Sequence, residues 1–161
     1  MPDRALLTRY RDAQAYTDCF AIDVAATVTF AQYIKAFYTS PLFKLERLVL
    51  ATLVARPSSD AQARRLADAE ITKFAAWNQE ARIDNQILML DFLKKTCSWL
   101  MCDPLPEGGT RLWFGTAVVP ERISADGRVW LGLGFHALMP FHKLYSVALL
   151  RAAARRLYPA I

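Results

Sequence analysis

Between residues 71 and 119 the sequence is a run of strand-like stretches separated by short turn signals. Asp84-Asn85 is typical of a tight hairpin turn, and Pro-Glu-Gly-Gly at 106–109 marks another turn. Strands joined by such short connections pair as antiparallel neighbours, because a parallel pair needs a long crossover. The sequence therefore predicts four neighbouring antiparallel strands, over residues 71–83, 86–93, 96–103 and 110–119.

A broken pair of helices is predicted before these strands, over residues 29–55. Thr29 and Gln32 have the spacing of a capping box at the start of the first helix. Ser40-Pro41 is typical of an N-cap followed by proline at the first helical position of the second.

A strand and a long helix complete the pattern. Residues 16–24 alternate in polarity and predict a strand, whereas residues 134–157 predict an apolar helix. Helices separated in the sequence from a series of antiparallel strands indicate the α+β class. Because a single antiparallel sheet buries one face, we expect the last helix to pack across the concave face of the sheet.

The start and orientation of that last helix follow from its sequence. Pro140 is expected in the first turn, where its missing N–H has no cost. At about 100° per residue, Phe141, Tyr145 and Ala148 share one face, which we expect to point inward. His142 lies at the flank of that face.

Composition is that of one ordinary domain, which we expect to span residues 1–161. The chain is 54% hydrophobic and 22% charged, so it can build a core. No apolar run reaches about 18 residues, so no transmembrane helix is expected. The first residues include two acidic side chains and no long apolar stretch, which argues against a secretory signal and predicts a cytoplasmic location.

Charge is distributed unevenly along the chain. All fifteen acidic residues lie before position 127, so the net charge of +5 comes from the segment that follows. That segment is too sparse in cations for a nucleic-acid interface, and we expect no nucleic-acid partner. Its basic residues are Arg128, Lys143, Arg151, Arg155 and Arg156.

Neither a metal site nor a bound cofactor is predicted. Cys97 and Cys102 are spaced unlike a redox pair or a zinc motif, and only His136 and His142 are available as further soft ligands. We expect both cysteines, like Cys19, to act as small apolar residues on strands. The sequence contains no nucleotide-binding, nucleophile-elbow or metalloprotease motif.

Three segments of the chain carry a family resemblance: DNQILMLDF, TRLWFGTAVV and above all GLGFHALMPFHKLYSVALLRAAARR. The last resembles the bacterial family catalogued as domain of unknown function 2867, whose members end in a Pro-Phe-His turn before a basic apolar helix. That family is similar to the START-like, or helix-grip, superfamily of polyketide cyclases and lipid-binding domains. The resemblance implies a curved antiparallel sheet gripping the C-terminal helix around an apolar cavity. It implies no reaction.

Aromatic residues are the candidates for ligand contact. Trp77, Trp99 and Trp113 fall on three successive predicted strands, and tryptophans on one face of a sheet would line a cavity. A single bulge would turn any of them to the other face, and packing in a solid core is an equal alternative. From the last helix we add Phe141, His142 and Tyr145 to this candidate set.

Three residues are candidates for catalysis. His142 can act as a general base if a partner orients it, or it can be a structural residue that bonds a sheet carbonyl. Glu80 and Asp91 lie on the two arms of the predicted hairpin, and a carboxyl group on the concave face could act as acid or base. Both carboxylates could equally point to solvent.

Three hypotheses for function follow. The first is a module that binds an apolar small molecule between the sheet and the C-terminal helix. The second is an enzyme of the cyclase or dehydratase type that uses His142 or a cavity carboxylate. The third is a module that docks on a membrane surface or a protein partner through its basic C-terminal segment. A homodimer is compatible with each.

Overall fold

The computed structural model describes residues 1–53, 55–124, 126, 129–131 and 135–159, and it describes their side chains except those of residues 53, 123, 129 and 135–138. The fold is of the α+β class, as the sequence predicted. Its elements in chain order are α1 (Thr8–Asp12), β1 (Tyr16–Val24), α2 (Phe30–Tyr38), α3 (Pro41–Leu53), α4 (Asp60–Ala67), β2 (Lys73–Phe74), β3 (Trp77–Ile83), β4 (Gln86–Asp91), β5 (Thr96–Pro104), β6 (Thr110–Val118), β7 (Arg122–Ile123), β8 (Val129–Trp130) and α5 (Phe135–Leu157).

Six strands form one curved, open sheet in the order β1-β6-β5-β4-β3-β2. All neighbours are antiparallel, which confirms the prediction for the central strands. The strand expected over 71–83 is divided, because the backbone turns at Ala75, which has a positive φ of 51°, between β2 and β3. Strands β7 and β8 pair only with each other.

The starts of α2 and α3 follow the sequence signals closely. The Thr29 hydroxyl accepts from the Gln32 backbone N–H at 3.2 Å, and the Gln32 side chain accepts from the Thr29 N–H at 2.8 Å. This capping box confirms the predicted start of α2. Ser40 caps α3 by accepting from the backbone N–H of Phe43 at 3.3 Å, and Pro41 is the first residue of that helix.

Helices α2, α3, α4 and α5 cover one face of the sheet, which we call the helical face. The α5 helix contacts β1, β6, α2 and α3, so it packs on the sheet as predicted. The core on this face is built from aromatic and aliphatic side chains of all four helices and of five strands. Its fully buried members include Tyr33, Ile34, Phe37, Tyr38, Phe74, Ile87, Met89 and Leu100.

The predicted inward face of α5 is wrong. Phe141 is 69% exposed and Ala148 is also exposed, whereas the centre of the buried stripe lies about 140° around the helix, more than a third of a turn, from the predicted face. Small side chains in that stripe allow α5 to approach α2 closely, and burial against a second helix as well as the sheet sets the rotation. The buried stripe consists of Ser146, Leu149, Leu150, Ala153 and Ala154.

The predicted position of Pro140 is also wrong. The α5 helix begins at Phe135, so Pro140 is its sixth residue and lies inside the helix. Its missing N–H would have bonded the carbonyl four residues earlier, close to the helix start. The single lost hydrogen bond is therefore confined to the first two turns.

Residues 1–15 cover the opposite face of the sheet, which we call the N-terminal face. Trp99 is fully buried there, and its indole N–H donates to the Gln86 side-chain oxygen at 2.8 Å. The same oxygen accepts from the backbone N–H of Leu6 at 2.8 Å, and the Gln86 amide donates to the Arg4 carbonyl at 3.1 Å. The sheet is thus buried on both faces, not on one as we expected.

Two further expectations concern cysteines and membranes. Cys19 lies on β1, and Cys97 and Cys102 lie on β5, all three as free thiols. Their placement on strands agrees with the sequence analysis.

Within the described ranges, no helix combines the length and apolar character needed to cross a bilayer.

Candidate functional site

A cavity of about 230 Å³ lies between the helical face of the sheet and helices α2, α3 and α5. Its walls are mainly aromatic and aliphatic, which suits an apolar ligand or an apolar part of one. A smaller set of polar side chains comes from α3, α5 and strands β5 and β6. The apolar lining includes Phe37, Phe43, Trp77, Phe114 and Leu149, and the polar lining includes Glu46, Thr96, Ser98, Thr116, His142, Tyr145 and Ser146.

Glu46 and Tyr145 form one polar pair in this wall. The Tyr145 hydroxyl, on α5, donates a short hydrogen bond to the Glu46 carboxylate, on α3. Burial raises the pKa of the Glu46 carboxyl, and the hydrogen bond from Tyr145 partly opposes that shift. Burial also raises the pKa of the Tyr145 hydroxyl, and the neighbouring carboxylate raises it further.

The basic neighbours of Glu46 on α3 point away from it. Lys44 Nζ lies 2.6 Å from one Asp60 carboxylate oxygen, and the Arg47 guanidinium lies 2.6 Å from the other. Arg47 also bonds the Ser58 hydroxyl and carbonyl. In the part of the chain that the structure describes, no cation forms an ion pair with Glu46, and its hydrogen-bond partner is neutral.

His142 lines the cavity at a second point and contacts Asp18, which lies behind the wall. His142 Nε2 lies 2.8 Å from Thr116 Oγ1 and 3.3 Å from Asp18 Oδ2. Thr116 donates its only hydroxyl proton to Asp18 Oδ1 at 2.7 Å. Thr116 can therefore only accept from His142, so Nε2 carries the proton and Nδ1 of a neutral ring keeps its lone pair. That arrangement leaves Nδ1 as an available base.

Ser146 contributes a buried hydroxyl to the cavity wall. The residue is only 1% exposed and lines the cavity from the buried stripe of α5. Its Oγ makes no hydrogen bond to any described residue. A buried hydroxyl without a partner is unfavourable by about 1–3 kcal/mol, which a polar group in the cavity could offset.

The predicted tryptophans do not share one face. Trp77 lies on the helical face and lines the cavity. Trp99 and Trp113 lie on the N-terminal face, where Trp113 donates its indole N–H to Asp103 at 3.2 Å. The odd-numbered positions of β5 and β6 point to that face, so the expected common tryptophan wall is wrong.

Of the three predicted ligand contacts on α5, the structure brings two to the cavity. His142 and Tyr145 line it, whereas Phe141 lies outside and stacks on the Tyr145 ring with a centroid separation of 6.0 Å. Phe141 is exposed because the buried stripe of α5 is rotated away from it.

Glu80 is not brought to the cavity. It lies at a bulge where the β3–β4 register shifts, and it faces the N-terminal segment. Its carboxylate accepts hydrogen bonds from the Tyr10 hydroxyl and the Arg9 guanidinium. Glu80 therefore holds α1 against the sheet.

Asp91 is not at the cavity either. It ends β4, and its carboxylate accepts from the backbone N–H groups of Lys95 and Thr96 and from the Thr96 hydroxyl, at 2.8 to 3.1 Å. These bonds close the β4–β5 turn, a common role for aspartate at the end of a strand.

Besides Thr96 and Ser98 of the lining, sequence reasoning missed four polar residues at or behind the cavity wall, and two of these four carry a readable signal. Glu46 interrupts the apolar helix α3 three residues after buried Phe43, and so lies on its inward side. Asp18 alternates with Phe20 on the inward face of β1. Thr116 and Ser146 are too common in strands and helices to give any signal.

Comparison with known proteins assigns no family. No protein-family model matches the chain, and no curated protein matches its sequence. The chain is similar to a solved structure of an uncharacterised protein from Rhizobium leguminosarum, at 12% identity, with a TM-score of 0.38, over 88% of this chain and 97% of that one. A likeness at this level assigns no function, and membership of the family of unknown function 2867 stays a prediction.

Proposed function

We propose that the protein binds an apolar small molecule in the cavity between the sheet and α5, in the manner of a helix-grip, START-like domain. The observation that carries this proposal is the cavity itself, whose walls combine aromatic rings with a few polar groups. Binding sites for small molecules have this composition, with apolar surface for affinity and a few polar groups for orientation.

The unmatched polar groups support binding over solid packing. A well-packed core pairs its buried polar groups, as Gln86 does on the N-terminal face. In the cavity, by contrast, Ser146 has no partner among the described residues and Glu46 has only the Tyr145 hydroxyl. A ligand with one polar group would complete both the packing and the hydrogen bonding.

Native mass spectrometry of the purified protein tests this proposal, with titration of 2-phenylethanol as a defined apolar probe. We expect a co-purifying molecule, a measurable dissociation constant for the probe, or both. In Trp77→Leu the probe should bind about tenfold more weakly, because an aromatic wall is lost. Trp113→Leu is the matched control, since it removes a half-buried tryptophan from the other face. Equal binding by both variants would contradict the proposed location.

A second candidate function is catalysis of the cyclase or dehydratase type. The contact of His142 with Asp18, beside the cavity, is the observation that favours it. Asp18 and Thr116 would hold the ring, and Nδ1 would take a proton from a bound substrate as a general base.

His142→Gln separates the two candidates. Glutamine can still donate to Thr116, but it cannot accept a proton near neutral pH. If the protein only binds, the variant should keep both its fold and its affinity for 2-phenylethanol. Once a substrate is found, retained binding with abolished turnover would establish the enzymatic function instead.

A further inference from the structure

We propose that the natural ligand is an apolar molecule that carries a protonated amine, and that Glu46 binds this ammonium group. The inference rests on the proposed function and specifies its ligand class. Glu46 is the carboxylate of the cavity wall, and no cation of the described chain neutralises it.

The first argument is electrostatic. A carboxylate moved out of water is stabilised when a cation or several hydrogen bonds replace its hydration. Glu46 has one neutral donor, Tyr145, whereas the cations nearest in sequence are committed to Asp60. An ammonium group in the cavity would supply the missing charge.

The second argument comes from the walls near this carboxylate. Tyr145 bonds Glu46 directly, and Phe43 is one helical turn away on α3, with its ring centroid 5.8 Å from that of Trp77. The faces of aromatic rings attract cations, and they attract them more strongly when water is excluded. A carboxylate beside aromatic rings therefore suits an amine better than a neutral or anionic group.

The third argument concerns the remaining ionisable and polar groups. No described lysine or arginine lines the cavity, and the other titratable side chains among its described lining residues are His142, Tyr145 and Cys97. The Ser146 hydroxyl has a free lone pair and can accept a hydrogen bond from an N–H group. No described cation is therefore in place to repel an ammonium ligand or to bind an anionic one.

The test uses three probes of similar size at pH 7.5: 2-phenylethylammonium, 2-phenylethanol and 3-phenylpropanoate. Isothermal titration calorimetry on the wild-type chain should give at least tenfold tighter binding for the ammonium than for the alcohol, and the weakest binding for the carboxylate. This ranking requires no mutation and so does not depend on how a variant folds. An alcohol or a carboxylate that binds as tightly as the ammonium overturns the inference.

Glu46→Gln then identifies the residue responsible. Glutamine can still accept from Tyr145 but has no charge, so ammonium binding should weaken at least tenfold while alcohol binding stays within about twofold. Glu107→Gln is the matched control, since it removes the same charge at an exposed turn and should change neither affinity. An ammonium affinity unchanged in Glu46→Gln overturns the inference but leaves the proposed function intact. If none of the three probes binds the wild type, the proposed function fails and the inference fails with it.

Discussion

The two faces of the sheet are packed in different ways. On the N-terminal face Trp99 fills the centre, and the buried polar group Gln86 uses both its oxygen and its amide. On the helical face a cavity remains, and among the described residues its wall groups Ser146 and Glu46 have no hydrogen-bond partner and no cationic partner, respectively. Complete packing is expected where a face serves stability, and incomplete packing where it serves binding. This difference is what the proposed binding of a ligand on the helical face would require.

A glycine makes the tight packing of the N-terminal face possible. A Cβ atom at Gly115 would lie 2.7 Å from Leu7 Cδ2 and 3.1 Å from the Trp99 ring. The first contact is shorter than Cβ contacts in real proteins and the second is tighter than most of them, so Leu7 and Trp99 pack this closely on the sheet because position 115 has no side chain.

The largest expected effect is on the N-terminal face. Trp99→Ala should lower the free energy of unfolding by about 3–5 kcal/mol, because it removes a fully buried ring and leaves a cavity. Trp77→Ala, at the half-buried cavity wall, should lower it by only about 1–2 kcal/mol. Urea unfolding of the two variants measures both values. Equal decreases in the free energy of unfolding would show that the two faces are packed equally well at these positions.

Gln86→Leu should lower the free energy of unfolding by about 1–3 kcal/mol. The leucine leaves the Trp99 indole N–H, the Leu6 N–H and the Arg4 carbonyl without their partner. The N-terminal segment should also become more accessible, which limited proteolysis measures. If neither the free energy of unfolding nor the proteolysis changes, residues 1–15 are held by apolar contacts alone.

Glu46→Gln, unlike the variants above, should raise the free energy of unfolding of the ligand-free chain at neutral pH. Burial raises the pKa of Glu46, so the folded state binds its proton more tightly than the unfolded state does. Stability from this group is therefore present at low pH and is lost as pH rises through the raised pKa. The variant's advantage should disappear between pH 7 and pH 4 in urea unfolding. If the variant is still more stable than the wild type at pH 4, the cause is not the charge of Glu46.

Phe141→Ser should have the smallest effect, within about 0.5 kcal/mol, because the side chain is exposed. The same variant tests docking through the C-terminal segment, since Phe141 and Leu144 are exposed apolar residues on the helix that also carries Lys143 and Arg151. Sedimentation with anionic vesicles measures this. Wild-type binding that Phe141→Ser abolishes would favour the membrane-surface hypothesis over the cavity.

The fold could be predicted from the sequence because its signals are local. Turn dipeptides, alternation and the Thr29–Gln32 capping box each act over a few residues, and the structure has all of them. The face of α5 could not be predicted, because a helix apolar around most of its circumference gives no unique direction. Packing against α2 as well as against the sheet sets the rotation that buries Ser146 and exposes Phe141.

The burial of the N-terminal face does have a signal in the sequence. The stretches Ile87–Leu90 and Trp99–Cys102 are apolar without interruption, which is typical of strands covered on both sides. Those runs indicate that both faces are buried, but Trp77 and Trp99 lie on different faces because of the bulge between Gln79 and Ala81, which has no signal in the sequence. The pairing of His142 with Asp18 had no such signal, because it depends on how β1 and α5 meet.

The pairing of β1 with β6 also has a consequence for the rate of folding. Tyr16 lies opposite Val118, so this ladder joins the first strand to the last strand of the sheet, whereas β3 to β6 pair through short turns. Contacts between distant segments form late, because the loop entropy is lost before the contact is gained. The meander should therefore assemble first and β1 should join it last. Asp18 arrives with β1, so the His142 contact should be absent from any intermediate that lacks this strand.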